Sequence, residues 1–244
     1  MRESFQFQFQ TGPPGESVAQ LPGLMAGAGA GADHALPTCG YVLIPDAFTV
    51  ADASTMHRAV SLLALRARPV FNPDRKRRQT SLSSVEVPLK ILRACAPVLA
   101  AMHTALTEHG CTYSVSPVAL YSAKDCKAQP RHRDFAPETT VGACRADDDR
   151  LAMACVASID TGSVLDVVPR SHMSRRHEAD PNDAAVRLEI PCGSVLLFHG
   201  ALVHRGCDYD TANTRIHMYG LSRDADFDHD KTYKLRDKEG RTIV

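Results

Sequence analysis

The spacing of apolar residues changes midway along this chain and divides it into a helical part and a strand-rich part. In the first part apolar residues recur every three or four positions over 46–66 and about 88–109, which is the period of an amphipathic helix. Pro88 suits the first turn of the second helix, Gly110 suits its C-terminal stop, and Pro97 is expected to kink it. The predicted buried face of this helix comprises Leu92, Cys95, Leu99, Met102 and Leu106.

From residue 112 onward short apolar runs alternate with turn residues, and no long helical pattern separates them. A further buried strand is predicted over 40–48, ahead of the first helix. Closely spaced strands of this kind are typical of an antiparallel sandwich or barrel. The chain is therefore predicted to be mainly β with flanking helices (α+β), with its β core at about 112–223. The predicted strands lie in YSVSPVALYS, LAMACVASI, SVLDVVP, VRLEIP, SVLLFHG and RIHMYGLS.

Two segments outside the predicted helices and strands are rich in residues that favour irregular structure. Residues 1–38 contain much Gly, Ala and Pro, offer little side-chain surface to offset ordering entropy, and are predicted to form a mobile leader before a single domain at 39–244. Residues 69–84 are predicted to form a polar loop between the two helices. Its basic run at 75–78 is interpreted as solvated, with a localisation signal or a phosphate-binding patch as alternatives.

The overall charge and the cysteine spacing exclude several simple functional classes. Lys+Arg and Asp+Glu both number 28, so net charge predicts neither a nucleic acid nor an anionic membrane as a partner. The 8 cysteines include no C-x-x-C pair, which leaves a zinc ribbon unsupported. The N-terminal residues lack a signal-peptide h-region, and no apolar run is long enough to span a membrane. An intracellular protein is predicted, in the cytoplasm or the nucleus.

A small group of residues in the β-rich part predicts metal chemistry. His132 and Asp134 are two positions apart, so on an extended strand both side chains project to the same side. With the later His204, they make the two imidazoles and one carboxylate of a non-haem Fe(II) site, which leaves open positions for O2 and a cosubstrate. Arg215 follows eleven residues after His204; if the two lie on adjacent strands, Arg215 faces the same cavity, where its guanidinium can grip a carboxylate with two hydrogen bonds.

The span from about 118 to 222 resembles the double-stranded β-helix of 2-oxoglutarate/Fe(II) oxygenases, in particular the phytanoyl-CoA-hydroxylase-like branch. The H-x-D pair, the later histidine and the following arginine match the family's motif in that order. The segment 162–172 is similar to the branch's G-x-L-x-V-x-P-G-S-H, with Arg170 in place of the usual Gly. The segment 192–198 is similar to G-D-x-L-L-F, with Ser194 in place of Asp.

The resemblance implies a jelly roll, also called a cupin-like fold, that binds Fe(II), 2-oxoglutarate and O2, with ascorbate as an optional reductant. It implies a dioxygenase that releases succinate and CO2 and oxidises a C–H bond, by default as a hydroxylase. A small-molecule substrate is predicted, while nucleic acid and protein substrates and the oligomeric state are left open; no membrane is expected. The alternatives are a non-oxidative metal-binding cupin enzyme and a non-catalytic binding module on the same fold.

Five further side chains have both a functional and a structural interpretation. Tyr121 and Gln129 are candidates for binding 2-oxoglutarate, against packing for the tyrosine and capping of a turn for the glutamine. His199 is a competing ligand candidate, expected beside the metal site or in solvent. His172 is expected to support a loop or the substrate pocket. His217 should share a strand face with Arg215, where it lines the cavity or belongs to the core.

Overall fold

The computed structural model describes residues 36–70, 76–83, 87–115, 117–135, 152–174, 184–222 and 233–234. The predicted leader, 1–38, lies almost wholly outside the described residues. A one-turn helix, α1, spans Leu36–Cys39, so the described fold begins slightly before the predicted domain boundary.

The first long helix, α2, is shorter than predicted and spans Val50–Ser61. Its start is fixed by a capping box: the Asp52 backbone N–H donates to Thr49 Oγ1 at 3.1 Å, and the Asp52 carboxylate accepts from the Thr49 backbone. A separate 3-10 turn at Ala64–Arg66 follows it. The sequence pattern over 46–66 therefore combined two helical elements into one.

The second long helix, α3, spans Leu89–Glu108, close to its predicted bounds. Pro97 lies inside this single continuous helix. Gly110 follows with φ +91°, the left-handed conformation that favours glycine after a helix end. The buried face is rotated slightly from the predicted one and comprises Ile91, Cys95, Val98, Met102, Ala105 and Leu106.

By length and composition α3 is apolar enough to cross a membrane, although one such helix is weak evidence for a span. Its buried side chains pack with Met56 and Val60 of α2 and with residues of the larger β-sheet, in one hydrophobic cluster. This packing accounts for its apolar composition as that of a core helix.

Two antiparallel sheets make up the described β structure. In chain order their strands are β1 Tyr41–Ile44, β2 Arg68–Pro69, β3 Arg77–Ser81, β4 Tyr113–Ser114, β5 Val118–Ser122, β6 His132–Arg133, β7 Ala152–Ser158, β8 Ser163–Val167, β9 Val186–Ile190, β10 Val195–His199, β11 His204–Gly206, β12 Asn213–Leu221 and β13 Tyr233–Lys234. The larger sheet has the order β1-β10-β7-β12-β5-β3-β2, with β4 also paired to β12. The smaller sheet has the order β13-β6-β11-β8-β9. The prediction of a mainly β, jelly-roll (double-stranded β-helix) fold with flanking helices is confirmed.

The larger sheet separates two hydrophobic cores, and the alternation of side chains along its strands decides which residues enter each. On β12, Ile216 and Met218 pack against the helices. Because neighbouring side chains on a strand point to opposite faces, Arg215, His217 and Tyr219 project to the other side, towards the smaller sheet. The core on that side combines residues of both sheets, including Val156, Phe198, Leu165, Val167 and Ile190.

The prediction of a solvated loop over 69–84 is wrong where the structure describes it. Residues Arg77–Ser81 form β3, which pairs with β5 in the larger sheet. Of the basic run, Arg75 lies outside the described residues, Arg78 donates from Nε to Ala67 O at 3.0 Å, and Arg77 is buried. The strand carries no apolar side chain, so period-2 hydrophobic alternation did not reveal it.

Candidate metal and anion site

The smaller sheet brings the predicted metal ligands together. β6 and β11 pair antiparallel with His132 directly opposite His204, and Asp134 follows at the end of β6. All three side chains are buried. One ligand atom from each lies within 4.8 Å of the others, so the group can hold a metal ion. The structure thus assembles the three residues that the sequence singled out.

Backbone carbonyls fix the orientation of both imidazoles. Nδ1 of His132 lies 2.8 Å from Pro130 O, and Nδ1 of His204 lies 2.9 Å from Leu202 O. Because a carbonyl only accepts, each Nδ1 carries the proton and each Nε2 keeps its lone pair. Burial, followed by the neighbouring His204, lowers the pKa of His132 to about 4, which keeps that ring neutral. Both Nε2 atoms are prepared to bind a cation.

The Asp134 carboxylate lies between these two nitrogens. Its oxygens are 3.8 Å from Nε2 of His132 and 3.6 Å from Nε2 of His204, too far for direct hydrogen bonds. Oδ2 is buried and has no hydrogen-bond partner among the described residues. Although burial alone raises the pKa of Asp134, the surrounding histidines lower it below its ordinary value. A buried, ionised oxygen without a partner is costly unless a cation compensates it, so this donor set fits a divalent metal.

Two further side chains of β12 border the metal group. His217 Nε2 lies 3.7 Å from Asp134 Oδ2, and the His217 ring meets the Tyr219 ring edge-on with centroids 4.5 Å apart. Burial, followed by the nearby Asp134 carboxylate, raises the pKa of Tyr219 well above its ordinary value. Of the two interpretations of His217, the structure supports the one that places it in the site.

Arg215 lies on β12 of the larger sheet and is buried. Its guanidinium points towards β11 of the smaller sheet. Residues 204 and 215 do not occupy adjacent strands, because β11 and β12 belong to different sheets. Nη1 of Arg215 donates to Ser122 Oγ at 3.0 Å and to Tyr209 Oη at 3.5 Å. Its Nε and Nη2, which form one edge of the guanidinium, make no hydrogen bond to any described residue. This edge has the geometry that grips a carboxylate with two parallel bonds.

The two other cosubstrate candidates occupy different places. Tyr121 lies on the helix-facing side of β5, and its hydroxyl donates to Val60 O at 2.6 Å in α2. This placement argues against its predicted role and favours the packing interpretation. Gln129 Oε1 accepts from Gly206 N at 2.9 Å, while its own backbone N–H donates to Gly206 O. Gln129 therefore ties its loop to β11 beside Arg215.

His199 and His172 form a separate buried pair with ring centroids 5.3 Å apart. Nδ1 of His199 accepts from Ala201 N at 3.1 Å, so the proton is on Nε2, the reverse of the two ligand histidines. Burial is the largest cause that lowers the pKa of His199, and the neighbouring His172 and Arg133 lower it further, to about 3. The competing ligand candidate is thus neither in solvent nor part of the Asp134 group.

The sequence interpretation missed three polar residues that lie beside Arg215, namely Arg77, Ser122 and Tyr209. Arg77 is buried, and Nη1 donates to Ser122 Oγ at 3.2 Å. The guanidiniums of Arg77 and Arg215 lie 5.6 and 5.5 Å from the centroid of the Tyr209 ring. Because Arg77, Ser122 and Tyr209 are distant from one another in the sequence, only the basic run at 75–78 gave a signal, and it was interpreted as a solvated surface loop.

Comparison with solved structures finds proteins of the same fold at low sequence identity. A prolyl-4-hydroxylase from Pseudomonas putida is 13% identical, with a TM-score of 0.55, over 77% of this chain and 95% of the other. The non-haem alpha-ketoglutarate-dependent carbocyclase SnoK from nogalamycin biosynthesis is 13% identical, with a TM-score of 0.62, over 79% and 83%. The epimerase SnoN, in complex with Fe3+, alpha-ketoglutarate and nogalamycin RO, is 13% identical, with a TM-score of 0.55, over 77% and 80%.

No protein-family model matches the chain, and no curated protein matches it either. At 13% identity the likeness to these solved structures shows the fold alone. It confirms the double-stranded β-helix, whereas the phytanoyl-CoA-hydroxylase-like branch stays a prediction.

Proposed function

We propose that this protein is an Fe(II)- and 2-oxoglutarate-dependent oxygenase that acts on a small molecule. The observation that carries the proposal is the buried Asp134 oxygen Oδ2 without a hydrogen-bond partner among the described residues, close to two imidazoles whose Nδ1 atoms carry the proton. The donor set of His132, Asp134 and His204 is the one that suits non-haem Fe(II). The fold is shared with SnoK, an alpha-ketoglutarate-dependent carbocyclase, and with SnoN, solved in complex with alpha-ketoglutarate, and this likeness supports the same class.

Arg215 extends the proposal from metal binding to the cosubstrate. Its free guanidinium edge would bind the C5 carboxylate of 2-oxoglutarate, while the 2-oxo acid end would reach the metal. When bound, the Fe(II)–2-oxoglutarate pair supplies the reduction of O2: 2-oxoglutarate becomes succinate and CO2, one oxygen atom enters the succinate, and the other oxidises a substrate C–H bond. Hydroxylation is the simplest outcome of this balance.

The chain's own residues have defined roles in this scheme. The carbonyls of Pro130 and Leu202 hold the ligand imidazoles in the tautomer that binds metal. His217 and Tyr219 flank the carboxylate and line the side of the site that β12 provides. The small-molecule assignment is supported by the site's position between two sheets and by the nogalamycin RO that is bound in the SnoN structure.

The test combines metal binding with cosubstrate turnover. Calorimetry with Mn(II) under anaerobic conditions should give one site per chain, abolished or weakened at least about 100-fold in Asp134→Ala and His204→Ala. His57→Ala is the control, since this partly exposed histidine lies outside the site. With Fe(II) and O2, wild-type protein should convert 2-oxoglutarate to succinate.

Three results would contradict the proposal in different ways. Unchanged metal affinity in both ligand variants would remove the metal assignment. Metal binding without any affinity for 2-oxoglutarate would favour a non-oxidative cupin enzyme. Binding of both without succinate formation, alone or across a panel of small molecules, would favour a binding module.

A further inference from the structure

Two buried arginines share one neutral acceptor in the interior of the larger sheet. Nη1 of Arg77 and Nη1 of Arg215 donate to the same Ser122 Oγ, at 3.2 and 3.0 Å. The exposed fractions of the two arginines are only 6% and 4%. Burial and the like charge of Arg215 lower the pKa of Arg77 below its ordinary value. Two positive charges therefore lie close together in a region from which water is largely excluded.

No carboxylate among the described residues lies within ion-pair distance of either guanidinium. Arg77 is held by neutral groups: Nε and Nη2 donate to Lys127 O at 3.2 and 3.0 Å, and Nη2 also donates to Cys207 O. Carbonyl dipoles offset part of the desolvation of a cation, but a buried pair of like charges still lacks a counterion. The site therefore calls for an anion.

The place for this anion follows from Gly206. A Cβ atom at this position would contact Gln129 Oε1 and would lie 2.9 Å from Nη1 of Arg77 and 3.1 Å from Nη2 of Arg215, so both guanidiniums converge on this point of β11, beside a neutral amide oxygen. His204 lies two residues earlier on the same strand, so it projects to the same side, about 7 Å away along the strand. That separation suits a short dicarboxylate with one end at the metal ligands and the other at the arginines.

We propose that Arg77 and Arg215 form a two-arginine clamp for the distal carboxylate of the cosubstrate, with Arg77 as the residue that selects a dicarboxylic 2-oxo acid over a monocarboxylic one. This inference rests on the proposed function. Arg215 presents its open Nε–Nη2 edge. Arg77 uses its other donors on the protein and contributes the second charge and its remaining Nη1 N–H. A carboxylate between them relieves the repulsion that the protein alone leaves uncompensated.

The experiment compares two ligands that differ only at the distal end. Anaerobic calorimetry on Mn(II)-loaded protein measures 2-oxoglutarate, which carries the distal carboxylate, and pyruvate, which lacks it. Arg77→Gln should weaken 2-oxoglutarate about 30-fold or more, as expected when one partner of a buried charge contact is lost. Its affinities for pyruvate and Mn(II) should stay unchanged. Arg77→Lys, which keeps the charge but loses the planar fork, should fall between wild type and Arg77→Gln.

Arg78→Gln is the matched control, because this neighbour on β3 points to the other face and donates to Ala67 O. It should bind both ligands like wild type. If Arg77→Gln does not fold, judged by its thermal unfolding, Arg77→Lys decides. A folded Arg77 variant with wild-type 2-oxoglutarate affinity, or with equal losses for 2-oxoglutarate and pyruvate, would overturn the clamp alone. Failure of wild-type protein to bind 2-oxoglutarate would instead overturn the proposed function and the clamp with it.

Discussion

Arginines gather at two places in this molecule, and the two groups differ in how their charge is balanced. On the smaller sheet, Asp166 of β8 accepts from Arg205 Nε at 3.0 Å and from Arg187 Nε at 3.2 Å. Arg187 also donates to Asp208 at 2.9 Å. Burial raises the pKa of Asp166, but the thiol of Cys207 and the two guanidiniums lower it below its ordinary value. Here every arginine has an acid within reach.

Arg77 and Arg215 have only neutral partners among the described residues: a serine, a tyrosine and backbone carbonyls. An ion group that is complete in itself ties strands together and needs nothing from outside. A buried group with uncompensated charge lowers the stability of the fold. Such groups usually occur where a ligand binds. The same contrast separates Asp134, with its unpartnered oxygen, from Asp166.

Removing one arginine from each group should have opposite consequences, and this is the largest expected effect. Arg215→Ala should weaken 2-oxoglutarate binding about 100-fold or more, because a bidentate contact to a buried charge is lost. Without ligand its stability should not fall by the amount usual for a buried residue, since a repulsion is also removed. Arg205→Ala should leave 2-oxoglutarate affinity unchanged and lower the free energy of unfolding. Calorimetry and urea unfolding measure both quantities, and equal affinity losses in the two variants would erase the contrast.

The ion pairs of Asp166 with Arg187 and Arg205 should make the stability depend on pH. Asp166→Asn should lower the free energy of unfolding by about 2 kcal/mol at pH 7, since hydrogen bonds from two guanidiniums to a buried carboxylate become bonds to a neutral amide. The folded pKa of Asp166 is lowered, so its stabilisation is present above the unfolded pKa, about 3.9, and is lost as pH falls through the folded value. The gap between wild type and variant should therefore narrow below about pH 4. A gap in unfolding free energy that stays constant from pH 7 to pH 3 would contradict this.

The two groups also show what sequence patterns can and cannot predict. Strands such as β7 and β10 were predicted because an apolar run is driven into a core by its own composition. The metal group was predicted because His-x-Asp fixes two side chains locally and the chemistry demands a third. By contrast, β3 is a strand of polar residues between β5 and β2, and the burial of its Arg77 depends on carbonyls and a serine from distant segments. The sequence of Arg77–Ser81 does not by itself indicate those partners.

For Arg215 the sequence pattern did not give the strand neighbour, and its role in binding a carboxylate stays a prediction. Its residue type and position past His204 suggested a carboxylate site, but β11 lies in the smaller sheet and β12 in the larger one, so the two strands face each other instead of pairing. Tyr121 shows the complementary error. Its chemistry suited the cosubstrate, but the side of the strand depends on register, and a one-residue difference places a side chain on the opposite face.

A smaller effect is expected at Ser122, which lies between Arg77 and Arg215. Its hydroxyl is the neutral acceptor between two cations, so Ser122→Ala should lower the free energy of unfolding by about 1 kcal/mol in ligand-free protein. Adding 2-oxoglutarate with Mn(II) should shrink this loss, because the bound carboxylate then compensates the same charges. Thr49→Ala is the control: its hydroxyl caps the start of α2, which packs on the opposite face of the larger sheet from the arginines, and its loss should not depend on ligand. Ligand-independent losses in both variants would mean that no anion binds between Arg77 and Arg215.

The smallest expected changes in stability and affinity come from two tyrosines on opposite sides of the larger sheet. Tyr121→Phe removes the bond from its hydroxyl to Val60 O, 2.6 Å long, and should cost about 1 kcal/mol of unfolding free energy or somewhat less. Burial raises the pKa of Tyr121, so the hydroxyl stays protonated and donates across the usual pH range. Because this side chain faces the helices, 2-oxoglutarate affinity should remain that of wild type. Tyr209→Phe is the counterpart: its hydroxyl accepts from Arg215 at 3.5 Å, so its loss should change that affinity by a few-fold. A larger change in affinity for Tyr121→Phe than for Tyr209→Phe would reverse the assignment of the two faces and place the cosubstrate on the helix side of the sheet.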